Sequence, residues 1–539
     1  MQSARVEARE VVYLLQPLPF TGKIRDAIYG DIDYVKDAED LIFDSWPVQR
    51  LRYIYQLQLA HLVYPSATHT RFSHSLGVMH LAYRFMHRIV SQLQEKALRE
   101  PGSLYNIFLE KPRELLLAAR IAGLLHDIGH GPFSHAFDYY VLSRHDVVGF
   151  RVGNHEILSY VLYRFQLRDT VRRAAEGMGL DGELVVSLVD EAMKPPRDNK
   201  EYTDLANSGG FAAGLSGEDF YQPHPDMEPH KLVRLVVRDF LYPADIMDYL
   251  IRDSYFTQAP IGSIDVQRLI GETYVVEYHE QLWPAISRKA VDNLVRLLNA
   301  RKLMYKNVYL HPVNKAFDHT LGMVFNRCNA LSTMIAEALD AMLREGRLER
   351  YRGLTDYTIY GMLSYWLATG RLHDECSDSQ AAEAVKSLLD YRKPLWKWVQ
   401  RLSIPEDKAG HLARGKKAVY EQQLARDFAE HAGIDPEEVL VDIGRVSAYS
   451  SSATTITPYV FIADTVGGRV AAPEPKTLDQ FLHEHRVAGE VIVTFYVERT
   501  RYRKLRDDSG AMRRLAEAAK RALHDYVPEA PIREMVETS

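Results

Sequence analysis

The chain has 539 residues, of which 46% are hydrophobic and 26% are charged, a composition typical of a soluble globular protein with roughly three or four domains. Its two cysteines, Cys328 and Cys376, exclude a disulfide-rich scaffold and a zinc ribbon, and they favour a reducing, cytoplasmic location. The net charge of −6 argues against a general nucleic-acid binder. No apolar run reaches the length of about 18 residues that a transmembrane helix needs. Residues 1–10 are charged and therefore predict no secretory signal.

Residues 20–185 are predicted to be mostly helical. An amphipathic helix is indicated by an apolar stripe with alternating spacings of three and four, formed by Leu76, Met79, Tyr83, Met86 and Val90. Residues 113–128 are apolar on nearly every face and predict a buried helix. Gly129, Gly131 and Pro132 are expected to end it.

The rest of the chain divides into a polar excursion, two helical stretches and a segment that contains strands. Residues 185–230 are rich in Pro, Asp, Asn and Gly and predict a long surface excursion or lid. Helices are expected over 230–345 and 355–430, with Trp366, Trp396 and Trp398 as packing anchors, and a last helix over 509–526. Strands are predicted at Val439–Ile443, Tyr459–Asp464 and Glu490–Val497, with a hairpin turn at Val466–Arg469.

The most informative segment is Leu125-His-Asp-Ile-Gly-His-Gly-Pro-Phe-Ser-His135, at the end of the buried helix. An unpaired carboxylate such as Asp127 is costly in an apolar setting, so His126 and Asp127 should be paired or bound to a metal. His130 follows His126 by one helical turn and lies on the same face. Two imidazoles and a carboxylate clustered in this way predict a site for a divalent metal ion.

The His-Asp dipeptide is a weak signal by itself, because it occurs four times, at residues 126, 145, 373 and 524. The dipeptides at 373 and 524 lie in polar or terminal surroundings and are predicted to be solvated surface. Only the first follows an apolar helix and precedes further histidines, so only it is assigned a metal-binding role.

Four motifs follow one another along the chain: His69-Thr-Arg-Phe-Ser-His-Ser-Leu-Gly-Val78, Leu125–His135, Asn154-His-Glu156 and Asp245-Ile-Met-Asp-Tyr-Leu-Ile-Arg-Asp253. In these ordered motifs the chain resembles the HD-domain phosphohydrolases, and in particular their deoxynucleoside triphosphate triphosphohydrolase (SAM-and-HD-domain-like) branch. The resemblance runs from about residue 20 to about residue 315 and also includes Lys23–Gly30 and Val48–Leu57.

The resemblance implies a mainly α fold, an HD-domain helical bundle with a helical extension and a small C-terminal α+β unit. We therefore predict an HD phosphohydrolase domain over 1–330 with its core at 20–315, a helical extension over 331–435 and a small α+β domain over 436–539. It also implies a homo-oligomer, a dimer, tetramer or hexamer.

Four metal ligands follow from the same motifs: His74, His126, Asp127 and Asp245. Two imidazoles and two carboxylates suit Mn, Fe, Co, Ni or Zn, and suit Mg less well. Because Asp245 is remote in sequence from the other three, the site can form only in the folded chain. An alternative for His74 is that it merely caps the helix that follows.

The resemblance implies that His135 acts as the catalytic acid, oriented by Asp138, and that His130 and His155 contact phosphate or a second ion. A histidine is suited to this role because it can donate a proton near neutral pH. Asp138 could instead stabilise a helix N-terminus, and His155 could be a surface histidine beside Glu156.

Substrate contacts are also implied residue by residue. Arg71 and Arg301 would hold phosphate oxygens, since a guanidinium binds them in a bidentate manner. The residues implied at the sugar are Gln56, Leu57, Tyr249, Asp253, Tyr309 and His311. A ring packed on the sugar would exclude a 2′-hydroxyl, and a buried acceptor would require the 3′-hydroxyl. Tyr249 and His311 could instead serve only the packing of their helices.

Two positions depart from the family pattern. Position 246, which usually carries a cation that contacts phosphate, is Ile246, and the usual Arg-Phe-Glu-His motif reads Arg71-Phe-Ser-His74. The predicted activity is hydrolysis of a deoxynucleoside triphosphate to deoxynucleoside and inorganic triphosphate, with another nucleotide or phosphoester (a nucleoside monophosphate or a guanosine polyphosphate) as the alternative. A third hypothesis is a nucleotide-responsive nucleic-acid-binding protein, indicated by a basic run on one predicted edge, Arg499, Arg501, Arg503, Lys504 and Arg506.

Overall fold

The computed structural model describes residues 17–99, 105–144, 152–195, 228–449, 459–466 and 469–535, together with residues 210, 215, 219 and 221. Most of these residues are helical, which confirms the predicted mainly α fold. Across the described segments, no helix is both long enough and apolar enough to cross a lipid bilayer. The predicted excursion at 185–230 lies largely outside the described residues, and its first part is helical up to Met193.

The described helices of eight residues or more are α1 Arg71–Arg99, α2 Pro112–Leu125, α3 His155–Leu162, α4 Arg168–Gly177, α5 Gly182–Met193, α6 Ala244–Thr257, α7 Val291–Met304, α8 Pro312–Arg327, α9 Asn329–Leu343, α10 Asp356–Ala368, α11 Ser379–Leu389, α12 Lys417–Ala432 and α13 Ser509–His524. Shorter helices occur at Asp40–Phe43, Trp46–Arg50, Asn106–Glu110, His135–Phe137, Glu228–Arg234, Val266–Gly271, Leu372–Glu375, Glu406–Ala409, Leu478–Glu484 and Arg499–Leu505, with π-helical turns at Asp138–Leu142, Tyr163–Leu167, Leu235–Asp239 and Tyr305–Tyr309.

The strands are β1 Gly22–Asp26, β2 Gly30–Tyr34, β3 Thr273–Tyr278, β4 Gln281–Ser287, β5 Trp396–Pro405, β6 Val439–Val446, β7 Tyr459–Val466, β8 Arg469–Thr477, β9 Glu490–Glu498 and β10 Arg533–Glu534. They form the β1–β2 hairpin and two four-stranded sheets, in the orders β10-β5-β9-β6 and β3-β4-β7-β8. Neighbours are antiparallel except β4 and β7, which run parallel.

The helical core around α1 and α2 agrees with the sequence prediction. The predicted stripe of α1 faces inward, with Leu76, Met79, Met86 and Val90 buried and Tyr83 half-buried. Every residue of α2 from Glu114 to Leu125 is buried against α1 and α5. Gly129 follows α2 where a Cβ atom would lie 2.2 Å from the main-chain nitrogen of Ser159, so glycine lets the loop contact α3.

Three strand regions replace structure that was predicted to be helical. The β1–β2 and β3–β4 hairpins lie in segments expected to be helical, and so does β5. The prediction that Trp396 and Trp398 anchor a helix is therefore wrong, because both lie on β5, paired with β9. The strands β6, β7 and β9 and the helix α13 are confirmed, and Val466 pairs with Arg469 across the predicted hairpin.

Strand β5 shares a sheet and a hydrophobic core with the strands β6 and β9 and the helices α12 and α13. We call this assembly, residues 396–446 and 490–535, the C-terminal unit. Strands β7 and β8 instead extend the β3–β4 hairpin of the helical body. The C-terminal unit thus includes residues from 396 onward, about 40 residues before the predicted domain boundary at 436. The domain boundary at 436 stays a prediction.

Cys328 and Cys376 form a disulfide that links the residue before α9 to the residue after the short helix Leu372–Glu375. The location expected from the cysteine content stays a prediction. One expectation about the C-terminal unit is corrected. The basic run that follows β9 is the helix Arg499–Leu505 and not an extended edge. Arg499 is buried and paired with Glu383, so it is not part of an exposed cationic edge.

Candidate metal centre and active site

Four side chains predicted as metal ligands meet at one place, although they come from three separate elements. His74 lies in the first turn of α1, His126 and Asp127 directly follow α2, and Asp245 lies in the first turn of α6. The Nε2 atoms of His74 and His126 lie 3.2 and 3.6 Å from Asp245 Oδ1. The same two nitrogens lie 3.7 and 3.3 Å from the carboxylate oxygens of Asp127.

Both histidines present the Nε2 atom to this cluster because the Nδ1 atom is already engaged. His74 Nδ1 lies 2.8 Å from Asp248 Oδ2, and His126 Nδ1 lies 2.8 Å from the main-chain oxygen of Gly123. Acceptors at Nδ1 fix the tautomer that carries a lone pair on Nε2, the form that binds metals. His126 Nε2 is buried and has no hydrogen-bond partner, which is expected of a nitrogen whose role is to bind a metal ion.

The acceptor for His74 is a residue that sequence reasoning did not single out. Asp248 lies one turn after Asp245 on α6 and also pairs with Arg252, at 2.9 Å. Arg252 in turn contacts Asp26 at 2.8 Å. A Cβ atom at Gly77 would lie 1.8 Å from Asp248 Oδ1, so glycine at this position allows the carboxylate to approach α1. The only signal in the sequence was the spacing of Asp245, Asp248 and Arg252 within one motif.

The electrostatics of the cluster favour a bound cation. Burial lowers the pKa of His74, but hydrogen bonds to Asp245 and Asp248 outweigh this and raise it to about 10. Burial raises the pKa of Asp245, but His126 and His74 lower it below its usual range. The two carboxyls of the cluster thus carry negative charge at neutral pH, because the pKa of Asp127 is also lowered, by His126 and Arg71 against its burial.

A second cluster lies beside the first and contains His130, His135, Asp138 and His155. Asp138 Oδ2 lies 2.6 Å from His155 Nδ1 and 3.2 Å from His135 Nδ1, so one carboxylate oxygen orients two imidazoles. The rings of His130 and His155 stack with their centroids 3.5 Å apart. Asp127 connects the clusters, since its Oδ1 lies 3.6 Å from His130 Nε2 and 3.9 Å from His155 Nε2.

The members of the second cluster differ in their electrostatic state. Burial, Arg71 and His155 lower the pKa of His130 well below its usual value. Burial also lowers the pKa of His155, but Asp138 more than compensates and raises it. Burial raises the pKa of Asp138, yet His155 and His135 bring it below its usual range. The side chain of His135 is 60% exposed and is therefore the member most open to an incoming group.

Arg71, one of the residues predicted to bind phosphate, lies beside the first cluster. We call this cluster of His74, His126, Asp127 and Asp245 the metal cluster. Arg71 lies at the start of α1, is buried, and its Nη1 lies 2.5 Å from Asp127 Oδ2. Its Nε donates to Ser134 Oγ at 2.9 Å, in the loop that leads to His135. The guanidinium is thus fixed between the two clusters.

Four of the predicted sugar and phosphate contacts come together. Tyr249 and Asp253 follow Asp245 at intervals of one turn on α6 and share its face. Tyr309 donates to Asp253 Oδ2 at 2.6 Å, and Arg301 donates to the Tyr249 hydroxyl at 2.8 Å. Arg301 also donates to two main-chain oxygens of the segment after β6, those of Ser447 and Tyr449, at 2.6 and 2.8 Å.

The other residues predicted to contact the sugar make no hydrogen bond with this group of four in the part of the chain that the structure describes. Gln56 and Leu57 are buried, and Gln56 Oε1 has no hydrogen-bond partner. His311 accepts a hydrogen bond from the Val313 nitrogen at 3.3 Å and caps α8. Ile246 is packed in the hydrophobic core, so position 246 directs no polar group toward the cluster.

Two further residues near the site were not predicted. His69 Nε2 lies 2.8 Å from Asp253 Oδ1, so Asp253 is shared between His69 and Tyr309. Arg238, on the π-helical turn before α6, pairs with Glu156. Burial lowers the pKa of Arg238, but the carboxylates of Glu156, Asp239 and Asp245 outweigh it and raise the pKa. Arg238 supplies a half-buried cation near Asp245 that nothing in the motif spacing indicated.

The loop between the clusters is held by a carboxylate from the helical extension. Phe133 and Ser134 both have positive φ, 58° and 53°, a conformation that costs non-glycine residues energy and persists only where neighbours enforce it. Asp356, at the start of α10, accepts from the Phe133 nitrogen at 2.6 Å and from the Tyr55 nitrogen at 2.9 Å. It therefore fixes the approach to His135 and the segment that contains Gln56.

Asp356 should make the stability of the protein depend on pH. Burial raises the pKa of its carboxyl to about 7, although the N–H groups of Phe133 and Tyr55 act in the opposite direction. Because the folded chain holds this proton more tightly than the unfolded chain, the group's contribution to stability is complete near pH 4 and is lost as the pH rises through 7. We expect the free energy of unfolding of the wild type, relative to Asp356→Asn, to fall between pH 5 and pH 8 in urea titrations. A difference that stays constant over this range would contradict the account.

The remaining His-Asp dipeptides behave as predicted where they are described. His373 and Asp374 are exposed, and so are His524 and Asp525. The dipeptide at 145 lies outside the described residues. The metal cluster is therefore built on the dipeptide that the sequence context singled out.

Two parts of the chain match models of known protein domains. Residues 71–206 match the model of the HD domain, and residues 264–459 match that of the HD associated region. Over 315 residues the chain is 28% identical to the human deoxynucleoside triphosphate triphosphohydrolase SAMHD1, covering 56% of this chain and 44% of that protein. Over 309 residues it is 28% identical to the SAMHD1 homolog of Dictyostelium discoideum, covering 57% of this chain and 49% of that protein.

A further relative is an uncharacterized protein of Methanocaldococcus jannaschii, 30% identical over 295 residues, which are 55% of this chain and 47% of that protein. The chain thus spans about half the length of these relatives. The matched HD domain contains His74, His126 and Asp127, while Asp245 lies between the two matched regions. The chain therefore contains an HD domain, followed by an HD associated region.

Proposed function

We propose that the protein is a metal-dependent phosphohydrolase that acts on a nucleotide, with His74, His126, Asp127 and Asp245 as the metal ligands. The observation that carries this proposal is the convergence of two correctly oriented Nε2 atoms and two carboxylates from three elements. When bound, a divalent ion would polarise the phosphate and lower the pKa of a bound water. The mixed nitrogen and oxygen donors suit Mn, Fe, Co, Ni or Zn better than Mg.

The protein's own residues would donate the proton and bind the phosphate. His135 is the exposed imidazole held by Asp138, so it is placed to donate a proton to the leaving oxygen. Arg71 would bind a phosphate oxygen beside Asp127. His130 and His155 would contact the phosphate as a stacked pair, or hold a second ion.

Within this class, we propose a deoxynucleoside triphosphate as substrate, cleaved to deoxynucleoside and inorganic triphosphate. Two of the relatives carry the name of that activity. The Asp253 carboxylate, held by His69 and Tyr309, would accept a hydrogen bond from the 3′-hydroxyl. The Tyr249 ring on the same face of α6 would exclude a 2′-hydroxyl.

A panel of nucleotides with separated products tests this proposal. Protein loaded with Mn²⁺ should release inorganic triphosphate from at least one deoxynucleoside triphosphate and should act more slowly on the matching ribonucleotide. The variant Asp253→Asn is the control for sugar recognition, because it should lose discrimination against a 3′-deoxy analogue while the metal content stays unchanged. Phosphate or pyrophosphate as the sole product would refute the triphosphohydrolase assignment.

One observation favours a second substrate class. Ile246 is buried in the core where related sequences carry a phosphate-binding cation, so the phosphate tail has one contact fewer. A nucleoside monophosphate, a guanosine polyphosphate or another phosphoester would need fewer such contacts. The same panel separates the two classes by which compounds are hydrolysed.

A further inference from the structure

The two tyrosines directly after Asp138 reach out of the active-site segment toward the C-terminal unit. Tyr139 donates to Glu421 Oε2 at 2.9 Å, and the Tyr140 hydroxyl lies 2.8 Å from His319 Nδ1. Asp138, Tyr139 and Tyr140 share one π-helical turn, so any shift of the tyrosines moves the carboxylate that orients His135 and His155.

Glu421 joins the two parts of the molecule with its two carboxylate oxygens. It lies on α12 and is 8% exposed. Its Oε2 accepts from Tyr139, while its Oε1 accepts from the main-chain nitrogen of Ile443 on β6, at 2.9 Å. The Glu421 side chain is therefore held by the sheet of the C-terminal unit through one oxygen and contacts the helical body through the other.

Tyr140 reaches the same strand through a buried histidine. His319 lies on α8, and its Nε2 is 3.5 Å from Asp442 Oδ1 on β6. Asp442 also lies 4.0 Å from Lys315 Nζ and 3.7 Å from Lys417 Nζ. Burial raises the pKa of Asp442, but Lys315, Lys417 and His319 lower it below its usual range, so the carboxylate is charged.

The rings of Tyr139 and Tyr140 are closely packed. A Cβ atom at Gly322 would lie 2.4 Å from the Tyr140 ring, so the ring rests directly on α8. The rings of Tyr139 and Tyr140 meet edge to face with centroids 4.9 Å apart. Removing one partner of a buried charged network leaves the rest uncompensated, so the arrangement has few alternatives of similar energy.

We propose that the C-terminal unit positions the Asp138 segment for catalysis through Tyr139–Glu421 and Tyr140–His319–Asp442. Tyr139, Tyr140, Glu421 and Asp442 are positioning residues, since they act on the reacting groups only through Asp138. The proposal gives the C-terminal unit a part in the active centre, and its catalytic consequence rests on the proposed hydrolytic function.

The test compares tyrosine variants that lose only a hydroxyl group. Tyr139→Phe removes the contact to Glu421, Tyr140→Phe removes the contact to His319, and the double variant removes both. Tyr526→Phe is the matched control, because its hydroxyl donates to Asp427 at 2.7 Å within the C-terminal unit, away from Asp138. The readouts are amide hydrogen exchange in peptides that span 135–142, and kcat and KM on the compound that the panel shows to be hydrolysed.

We expect faster exchange over 135–142 in the double variant and no change there in Tyr526→Phe. Because a small misplacement of a catalytic group can cost up to about a hundredfold in rate, kcat should fall by roughly tenfold or more while KM and metal content stay within about twofold. Glu421→Gln, which keeps an acceptor oxygen, should retain more activity than Glu421→Ala.

The exchange measurement decides the proposal even if the protein hydrolyses no compound in the panel. In that case the proposed function fails, while faster exchange confined to 135–142 still supports positioning by the C-terminal unit. Unchanged exchange in the double variant would overturn the proposal. So would faster exchange with the kcat of the wild type, because Asp138 would then need no support from this network.

Discussion

Asp127→Ala should abolish turnover and strip the protein of its metal while the protein stays folded. Asp127 contacts both histidines of the metal cluster, the pair His130 and His155, and Arg71. Loss of a residue that merely supports a ligand typically costs ten- to a hundredfold in metal affinity or activity, so loss of the ligand should exceed about a hundredfold. Metal analysis, turnover on the nucleotide panel and circular dichroism measure the three quantities.

The chain offers a matched control for this variant. Asp374 belongs to another His-Asp dipeptide, which is exposed on the surface. Asp374→Ala should therefore leave metal content and turnover unchanged. If Asp127→Ala kept the metal and the turnover of the wild type, the assignment of the cluster would be wrong.

Asp248→Asn should weaken metal binding without touching any proposed ligand. Asp248 holds His74 Nδ1 at 2.8 Å and is itself held by Arg252. An amide in its place keeps the size of the side chain but loses the charge that pairs with Arg252 and strengthens His74 as a ligand. We expect a loss of ten- to a hundredfold in metal affinity, measured by competition with a chromogenic chelator.

A pair with the same spacing provides the comparison. Asp340 contacts Arg344 four residues later at 3.2 Å, but on an exposed face of α9. Asp340→Asn should leave metal affinity unchanged, because exposed ion pairs contribute little and this one lies away from the cluster. Equal affinities for Asp248→Asn and the wild type would show that the contact to His74 does not tune the site.

The helical core and two of the candidate metal ligands, His126 and Asp127, were predictable because their signals are local. The stripe of α1 and the uniformly apolar α2 require only periodicity and hydrophobicity, and both are borne out by burial. His126 and Asp127 stand out because polar residues end an apolar helix. The assignment of His74 and Asp245 rested on motif resemblance, and the structure brings both to His126 and Asp127.

The missed hairpins show where local signals fail. Strands β3 and β4 have β-branched and aromatic residues, but they are joined by His279 and Glu280, both with positive φ, where a turn of this type usually has Gly, Asn or Asp. Strand β5 lies in a stretch that was expected to be helical, and it pairs with β9, a strand remote in sequence. Such pairings are tertiary and leave little trace in the sequence of the strand itself.

The supporting residues of the site were also beyond prediction. Asp356 contacts Phe133 and Tyr55 across more than 200 residues of sequence, and Asp442 reaches Tyr140 only through His319. Each would be an ordinary helix or strand residue without its remote partners. Burial of a charged side chain is what reveals them, and burial is known only from the folded chain.

The most direct test of the central claim is anomalous diffraction from crystals soaked in Mn²⁺. We predict a strong peak bound by the Nε2 atoms of His74 and His126 and by carboxylate oxygens of Asp127 and Asp245, at about 2.0–2.3 Å. Crystals that show Asp245 directed away from the two histidines, with no anomalous peak between them after soaking, would contradict the account.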